Sequence, residues 1–377
     1  DYTYDSTGRL TQVDRNSSTY ATYSYDDNNN RTGGVINGVT TTGVYDTQDR
    51  MTDYNTYDFT YGANGEMLTK TNTLTSVVWT YTYDVEGNLL SAASSSPAKT
   101  YNYEVDGLNR RIEKRDGSTF KARYLYDTKN RIIAEINSNR TLKRRYVYVS
   151  KQNIPDYFYE GSAKFRIISD HLGSPRLVIK QSDGSIKQVM DHDAFGCFVT
   201  NTIDTSGSYT AIPFGFAGGL FDANTNLLRY GARDYDCETG RWLSKDPILF
   251  DGGDTNLFGY VQNDPINWID VNGLEPKRPG FINTINIDEM RSGGGGGGGF
   301  SPFRGKSPQQ IDTMFRDKGF QPRGPDPVGG KGGYVNPNTG RSYHIDFNNR
   351  FNEPAHVDVN RPGNCPMPKR KFPAGGE

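Results

Sequence analysis

The sequence predicts a mostly β chain of stacked hairpins followed by a small α+β domain, on three observations. An aromatic pair, an acid and a Gly or Asn turn recur, most clearly in Tyr81-Thr82-Tyr83-Asp84 with Gly87-Asn88. Other copies begin at Tyr2, Tyr23, Phe59, Tyr101, Tyr124 and Tyr146, most of them roughly 20 to 23 residues apart, the spacing of stacked supersecondary units. The chain is poor in aliphatics yet carries 25 Tyr and 19 Phe in 377 residues, which suits thin sheets with aromatic ladders better than a thick core.

Each repeat reads as a hairpin. Strand residues i and i+2 point the same way, so Tyr81 and Tyr83 share one face and Thr82 takes the other. The acid opens a turn, and the Gly or Asn of Tyr4-Asp5-Ser6-Thr7-Gly8-Arg9-Leu10 or Tyr126-Asp127-Thr128-Lys129-Asn130-Arg131-Ile132 supplies a positive φ before an apolar return strand. An isolated hairpin is marginal in water, so the repeats must stack edge to edge into an elongated, curling antiparallel sheet.

The length allows two or three domains. A formal net charge of -1 hides an asymmetry: 15 Lys+Arg against 10 Asp+Glu from Glu275 onward, 28 against 34 before it. A basic tail behind an acidic body fits an anionic target for the tail. Cys197, Cys237 and Cys365 show no paired spacing, which argues against a disulfide framework and a cysteine-rich zinc site. No apolar run reaches the length of a membrane-spanning helix. Asp1 falls inside a repeat, as in the C-terminal piece of a longer chain.

From about 166 to 274 the period gives way to specific segments. They are Asp170-His171-Leu172-Gly173-Ser174-Pro175-Arg176, Asp193-Ala194-Phe195-Gly196, Arg229-Tyr230-Gly231-Ala232-Arg233-Asp234-Tyr235-Asp236, Glu238-Thr239-Gly240-Arg241-Trp242-Leu243-Ser244, Asp246-Pro247, Asn263-Asp264-Pro265 and Asp270-Val271-Asn272-Gly273-Leu274. In this order they closely resemble the Rhs/YD-repeat family and its repeat-associated core. The resemblance covers about the first 274 residues. It implies repeats (1–165) spiralling into a hollow β-shell, a core (166–274) plugging one end, and a variable toxin beyond the closing Gly-Leu. The chain is too short for a whole shell, so an open wall with its plug is expected, the rest of the shell lying upstream.

The resemblance also implies self-cleavage after the closing Leu by paired aspartates, with Leu274-Glu275 as the scissile bond. Asp246 and Asp270 occupy the positions of the family's acids, and Arg233-Asp234 matches an Arg-Asp pair of the related insecticidal-toxin C proteins. Aspartyl-type cleavage needs one carboxylate to activate water and one carboxylic acid to protonate, and two close carboxyls separate their pKa values because both cannot cheaply ionise. Val271 stands where the family has Pro, which removes a stiffening element before the cut. The alternative makes Asp246 an acid in a turn before Pro247 and Asp234 an ion-pair partner of Arg233.

Residues 275–300, with Pro276, Pro279 and the unbroken Gly293 to Gly299, read as a flexible linker. No strand precedes the Gly run and no Lys-Ser/Thr follows it, which excludes a phosphate-binding loop. A compact domain follows in 301–377. Ser307-Pro308-Gln309-Gln310 starts a helix with Ser as N-cap, Ile311, Met314 and Phe315 form its apolar stripe, and Gly319 ends it. Tyr334-Val335 and the turn Asn336 to Gly340 lead to strands Arg341 to Phe347 and His356 to Asn360. Alternation sets Ser342, His344 and Asp346 opposite Tyr343, Ile345 and Phe347, and sets His356, Asp358 and Asn360 opposite Val357 and Val359.

If those strands share a sheet, both histidines and two acids lie on one polar face. That arrangement suits metal-independent RNA cleavage, which needs no cofactor: His344 and His356 as acid and base, with Lys331, Arg341, Tyr343 and Arg361 contacting substrate. Alternatives are a metal-dependent nuclease using the two His-x-Asp units, an ADP-ribosyltransferase using Arg341, Tyr343 and Glu353, structural histidines, or a cell-surface YD-repeat protein with an inert tail. Lys369-Arg370-Lys371 is either a nucleic-acid contact or a solvated tail. The domain loosely resembles small α+β ribonuclease toxins of the barnase/colicin type. The whole reads as a Rhs-type polymorphic toxin, secreted or delivered by a secretion system into the cytoplasm of competitors, with RNA as substrate and a cognate immunity protein in the producer.

Overall fold

The computed structural model describes residues 1–279 except 208, together with 303, 306–317, 319–335, 337, 342–346, 356–360 and 369–373. Twenty strands, from Tyr2–Tyr4 to Phe198–Ile203, form one antiparallel meander in which each pairs with the next. The expected alternation holds: Tyr81 is buried, while Thr82 on the other face shares a 2.6 Å hydroxyl hydrogen bond with Ser91. Tyr23, Tyr54, Phe59, Tyr81, Tyr101, Tyr124 and Tyr146 are all buried, so aromatic rows carry the packing.

The repeat acid is the turn-maker. Asp84 Oδ1 accepts the backbone N–H groups of Glu86 and Asn88, both at 2.9 Å. Asp5, Asp26, Asp46, Asp106, Asp127, Asp170 and Asp193 bind the residues two and four ahead in the same way. Such Asx turns deliver the chain to a left-handed residue, Gly87 at φ +84° or Asn130 at φ +61°. Four turns add an ion pair to the Arg four residues on, in Asp5–Arg9, Asp46–Arg50, Asp106–Arg110 and Asp127–Arg131. Burial pushes these four carboxyls up, but their hydrogen bonds to backbone and Arg outweigh it and hold them below the usual range. Asp127→Ala is expected to lower unfolding stability by about 1–3 kcal/mol by orphaning these donors, read as a lower urea midpoint. An unchanged midpoint would show the turn forms without its acid.

The meander runs on past residue 165, where the sequence period fades. The Tyr pairs disappear there, but the Asp170 and Asp193 turns persist and still reverse the chain. After Ile203 the chain folds against the sheet as a plug around four antiparallel strands, Leu220–Asp222, Leu227–Tyr230, Arg233–Asp236 and Arg241–Trp242. Tyr230, Tyr235, Trp242 and Tyr260 pack their rings together at its centre, all fully buried. Ion pairs clip plug to wall: Lys70 to Asp236 at 2.9 Å, Lys114 to Asp222 at 2.5 Å and Arg111 to Asp234 at 2.9 Å. Arg241 reaches Asn30 Oδ1 and the Asp49 carbonyl of the wall.

One expectation is corrected. Cys197 and Cys237, without paired spacing in sequence, form a disulfide with Cα atoms 5.1 Å apart. The pairing is invisible in sequence because the plug's return, not local spacing, brings the two together.

Beyond the plug, the helix Pro308–Asp317 packs on a five-stranded antiparallel sheet of Gln321–Asp326, Lys331–Val335, Ser342–Asp346, His356–Asn360 and Lys369–Pro373. Its start is the anticipated capping box: Gln310 N–H donates to Ser307 Oγ at 3.3 Å, and Ser307 N–H to Gln310 Oε1 at 2.7 Å. Ile311, Met314 and Phe315 are buried, as their spacing requires. The Gly293 to Gly299 run, Arg341, Glu353 and Arg361 lie outside the described residues.

Candidate active site at the closing turn

The closing segment is a loop pinned at its base. Ile269 and Lys277 exchange backbone hydrogen bonds of 2.9 and 2.7 Å, so Asp270 to Pro276, with Leu274-Glu275 within it, form the loop they close. Gly273 sits at φ +67°, and a Cβ there would stand 2.3 Å from the Tyr230 carbonyl oxygen, so only glycine lets the turn lie against the plug. Asn272 Oδ1 accepts the N–H groups of Leu274 and Glu275 at 3.2 and 3.3 Å. That side chain restrains the turn around Val271.

Three charged groups converge on this loop. Arg233 Nη2 lies 2.8 Å from Asp246 Oδ2 and 3.3 Å from Asp270 Oδ2, and all three side chains are buried. Arg233 Nε donates to the Gly273 carbonyl at 2.6 Å, and its guanidinium stacks over Trp242 at 4.2 Å. Asp270 Oδ1 accepts the Leu274 N–H at 3.0 Å. Asp246 Oδ1 is held by the Ile248 N–H at 2.9 Å, while its Oδ2 faces Arg233. A Cβ built on Gly252 would stand 2.5 Å from Asp246 Oδ2 and 2.8 Å from the Leu274 carbonyl oxygen, so the absence of a side chain there leaves both oxygens room beside the loop. A cavity of about 10 Å³, room for about one water, is lined here by Arg233, Asp246, Gly252 and Asp270.

One guanidinium cannot neutralise two buried carboxylates. Burial raises Asp246 to about 7, against the downward pull of Arg233 and with a further upward push from Asp270. Burial also raises Asp270, opposed by Arg233 and by backbone N–H groups of the closing turn. Both carboxyls are thus raised and titrate as a coupled pair, whose apparent pKa values belong to the pair.

Asp234 is not part of this cluster. Neighbouring strand residues face opposite ways, and Asp234 points away from Arg233 to pair with Arg229 at 2.8 Å and Arg111 at 2.9 Å. Its place in a cleavage pair is corrected to a buried clamp between plug and wall.

In the C-terminal sheet, register sets His344 opposite Asp358 and Asp346 opposite His356 on adjacent strands. His344 Nδ1 faces the Gly332 carbonyl and so donates to it. Lys371 pairs opposite Asp358 and Pro373 opposite His356, so the terminal basic run is a strand beside the second histidine. Lys331 is exposed in its strand. Tyr343 is corrected: only 1% exposed, it packs on Phe315 and Phe320, and cannot contact a substrate. Among the described residues no group of three or more His, Cys, Asp and Glu is placed to hold a metal ion, and no helix is long and apolar enough to cross a membrane.

A twenty-strand hairpin sheet clipped onto an aromatic plug defines a YD-repeat β-shell. The Teneurin YD-shell family model matches residues 1–266, and the chain belongs to that family, within the Rhs/YD-repeat proteins. Teneurin-3 of Danio rerio is 27% identical over 291 residues, 71% of this chain and 10% of the relative. The tRNA3(Ser)-specific nuclease WapA of Bacillus spizizenii is 25% identical over 281 residues, 72% of this chain and 12% of the relative. The chain thus spans about a tenth of the length of the relatives it matches. The crystal structure of TcdB2-TccC3-TEV shares the fold, with a TM-score of 0.54 at 20% identity over 72% of this chain and 15% of that one.

Proposed function

We propose that this chain is part of a Rhs-type toxin: a shell wall and plug that cut their own chain after Leu274 and carry a nuclease domain beyond it. The carrying observation is the convergence of Asp246, Asp270 and Arg233 on the Leu274 peptide. Asp246 Oδ2 and the Leu274 carbonyl oxygen flank the same glycine, and burial raises Asp246 to about 7, which suits it as the acid with Asp270 as the base. Asp270 takes a proton from water as its oxygen adds to the Leu274 carbonyl carbon, and Asp246 protonates the carbonyl oxygen. On collapse Asp270 passes its proton to the Glu275 nitrogen, a hydroxyl of the gem-diol returns a proton to Asp246, and the C–N bond breaks to leave a Leu274 carboxylic acid and a Glu275 amine. Arg233 orients both carboxyls and, through Gly273, the loop.

For the C-terminal domain the reading is a metal-independent ribonuclease with His344 and His356 as acid–base pair, and Lys331, Arg341 and Arg361 on phosphate. Support comes from the paired histidine strands, the basic strand beside them and the nuclease name borne by one relative. The transferase alternative loses Tyr343 to the core. Delivery into a competitor's cytoplasm and an immunity protein in the producer, presenting an acidic face to Lys331 and the basic strand, complete the proposal.

The test incubates the purified full chain, intact and cut, with RNA and with DNA, with and without EDTA, alongside His344→Ala and His356→Ala. RNA cleavage that survives EDTA and vanishes in both variants is expected. EDTA-sensitive cutting would assign a metal nuclease instead, and no cutting of either polymer would remove the nuclease reading.

A further inference from the structure

The C-terminal domain does not close its own core. Its buried residues Phe303, Ile311, Phe315, Phe320, Tyr334 and Tyr343 form one continuous cluster with Phe250, Leu257 and Phe258 of the plug. Phe250 is the hub. It is completely buried, with its ring 6.0 Å from Phe315, 5.5 Å from Phe320 and 5.8 Å from Tyr343. Leu249, on the same short turn, and Tyr61 of the wall pack against the cluster's edge. At its rim Lys306 Nζ donates to the wall's Asp27 carbonyl at 3.1 Å. A ring inserted among three aromatic partners from another domain is an anchor of the kind that dominates interface energetics.

We infer that Phe250 is a seat which keeps the C-terminal domain bound to the plug after the chain between them is cut. Cutting at Leu274-Glu275 breaks covalent continuity, but every contact above lies outside the severed peptide and survives it. Release then becomes a separate step: the domain must withdraw Phe315, Phe320 and Tyr343 from Phe250, exposing apolar surface that costs free energy in water. The inference rests on the cleavage reading for its biological use, while the contact itself does not depend on it.

The test therefore uses an engineered cut. In the full chain, Gly293 to Gly299 is replaced by a site-specific protease sequence, which severs the domain whether or not the chain cuts itself. After complete digestion the two pieces are expected to co-elute in size exclusion at micromolar concentration. Phe250→Asp is expected to abolish co-elution and Phe250→Leu to reduce it, with the wall-and-plug piece keeping its elution position and thermal transition. Val85→Asp, at a site 99% exposed in a wall turn, should leave co-elution unchanged. Separation of the pieces in the parent chain overturns the inference. So does undiminished co-elution in Phe250→Asp. If Phe250→Asp shifts the plug's own transition, Phe250→Leu decides: a folded plug that holds the domain as tightly as the parent does is equally fatal. Failure of self-cleavage would show instead as an uncut Leu274-Glu275 bond and would leave these readouts intact.

Discussion

Asp246→Asn and Asp270→Asn are each expected to slow cutting of the Leu274-Glu275 bond by at least about 10²-fold, the low end of what a placed acid or base contributes. Asn keeps shape and most hydrogen bonds, so the wall should remain folded while the chemistry is lost. Mass spectrometry of the parent should show an N-terminal piece ending at Leu274. Cutting at parental rate in both variants, or at another bond, would sink the assignment.

The pH dependence carries a sign. In the proposed cleavage Asp246, raised to about 7 by burial against the pull of Arg233, serves as the proton donor. The rate should therefore fall as pH rises through about 7, roughly tenfold per unit beyond it. The acid limb follows Asp270, which burial also raises, and lies above the ordinary carboxylate range. Stability moves with the donor. A carboxyl whose folded pKa is raised contributes stability fully present below its unfolded value of 3.8 and lost as pH rises through about 7. A rate that climbs through neutrality and stays high would contradict a protonated Asp246.

The wall was legible because its signals are local. A Tyr pair, an Asp and a left-handed Gly or Asn fix a hairpin within eight residues, and Asp84 binding Glu86 and Asn88 is that signal in atoms. The helix start at Ser307 was legible for the same reason. Groups assembled at long range were not. Cys197 meets Cys237 only because the plug returns to the last wall strand. Phe250 is a single apolar residue between a Pro and a run of Gly, and nothing near it in sequence announces Phe315, Phe320 and Tyr343 as partners. The site itself divides along the same line. Asp246, Asp270 and the Arg233-Asp234 pair all come from family motifs, and a motif does not say which face of a strand each residue takes: Asp234 turns to Arg111 and Arg229 instead. The strand alternation that sets Tyr81 and Tyr83 on one face separates Arg233 from Asp234 equally well.

That separation gives the largest expected loss of stability. Asp234 is shared by two buried guanidiniums, Arg111 of the wall and Arg229 of the plug, with all three side chains 3% exposed or less. Burial lowers Arg229, Asp234 pulls it back up, and the neighbouring Arg111 lowers it further, as expected where one carboxylate serves two cations. Asp234→Asn leaves two like charges buried side by side, which should cost about 3–5 kcal/mol in urea or thermal unfolding. Arg229→Met should cost less, although it strands Asn88 Oδ1 and the Asn109 carbonyl, because Arg111 and Asp234 remain as a neutral pair. Whatever fraction of Asp234→Asn folds should cut after Leu274 with the parental pH profile, since Arg233, Asp246 and Asp270 lie on the other side of the strand. A loss under about 1 kcal/mol would mean that water reaches the pair, and a shifted cleavage profile in folded Asp234→Asn would return Asp234 to the active site.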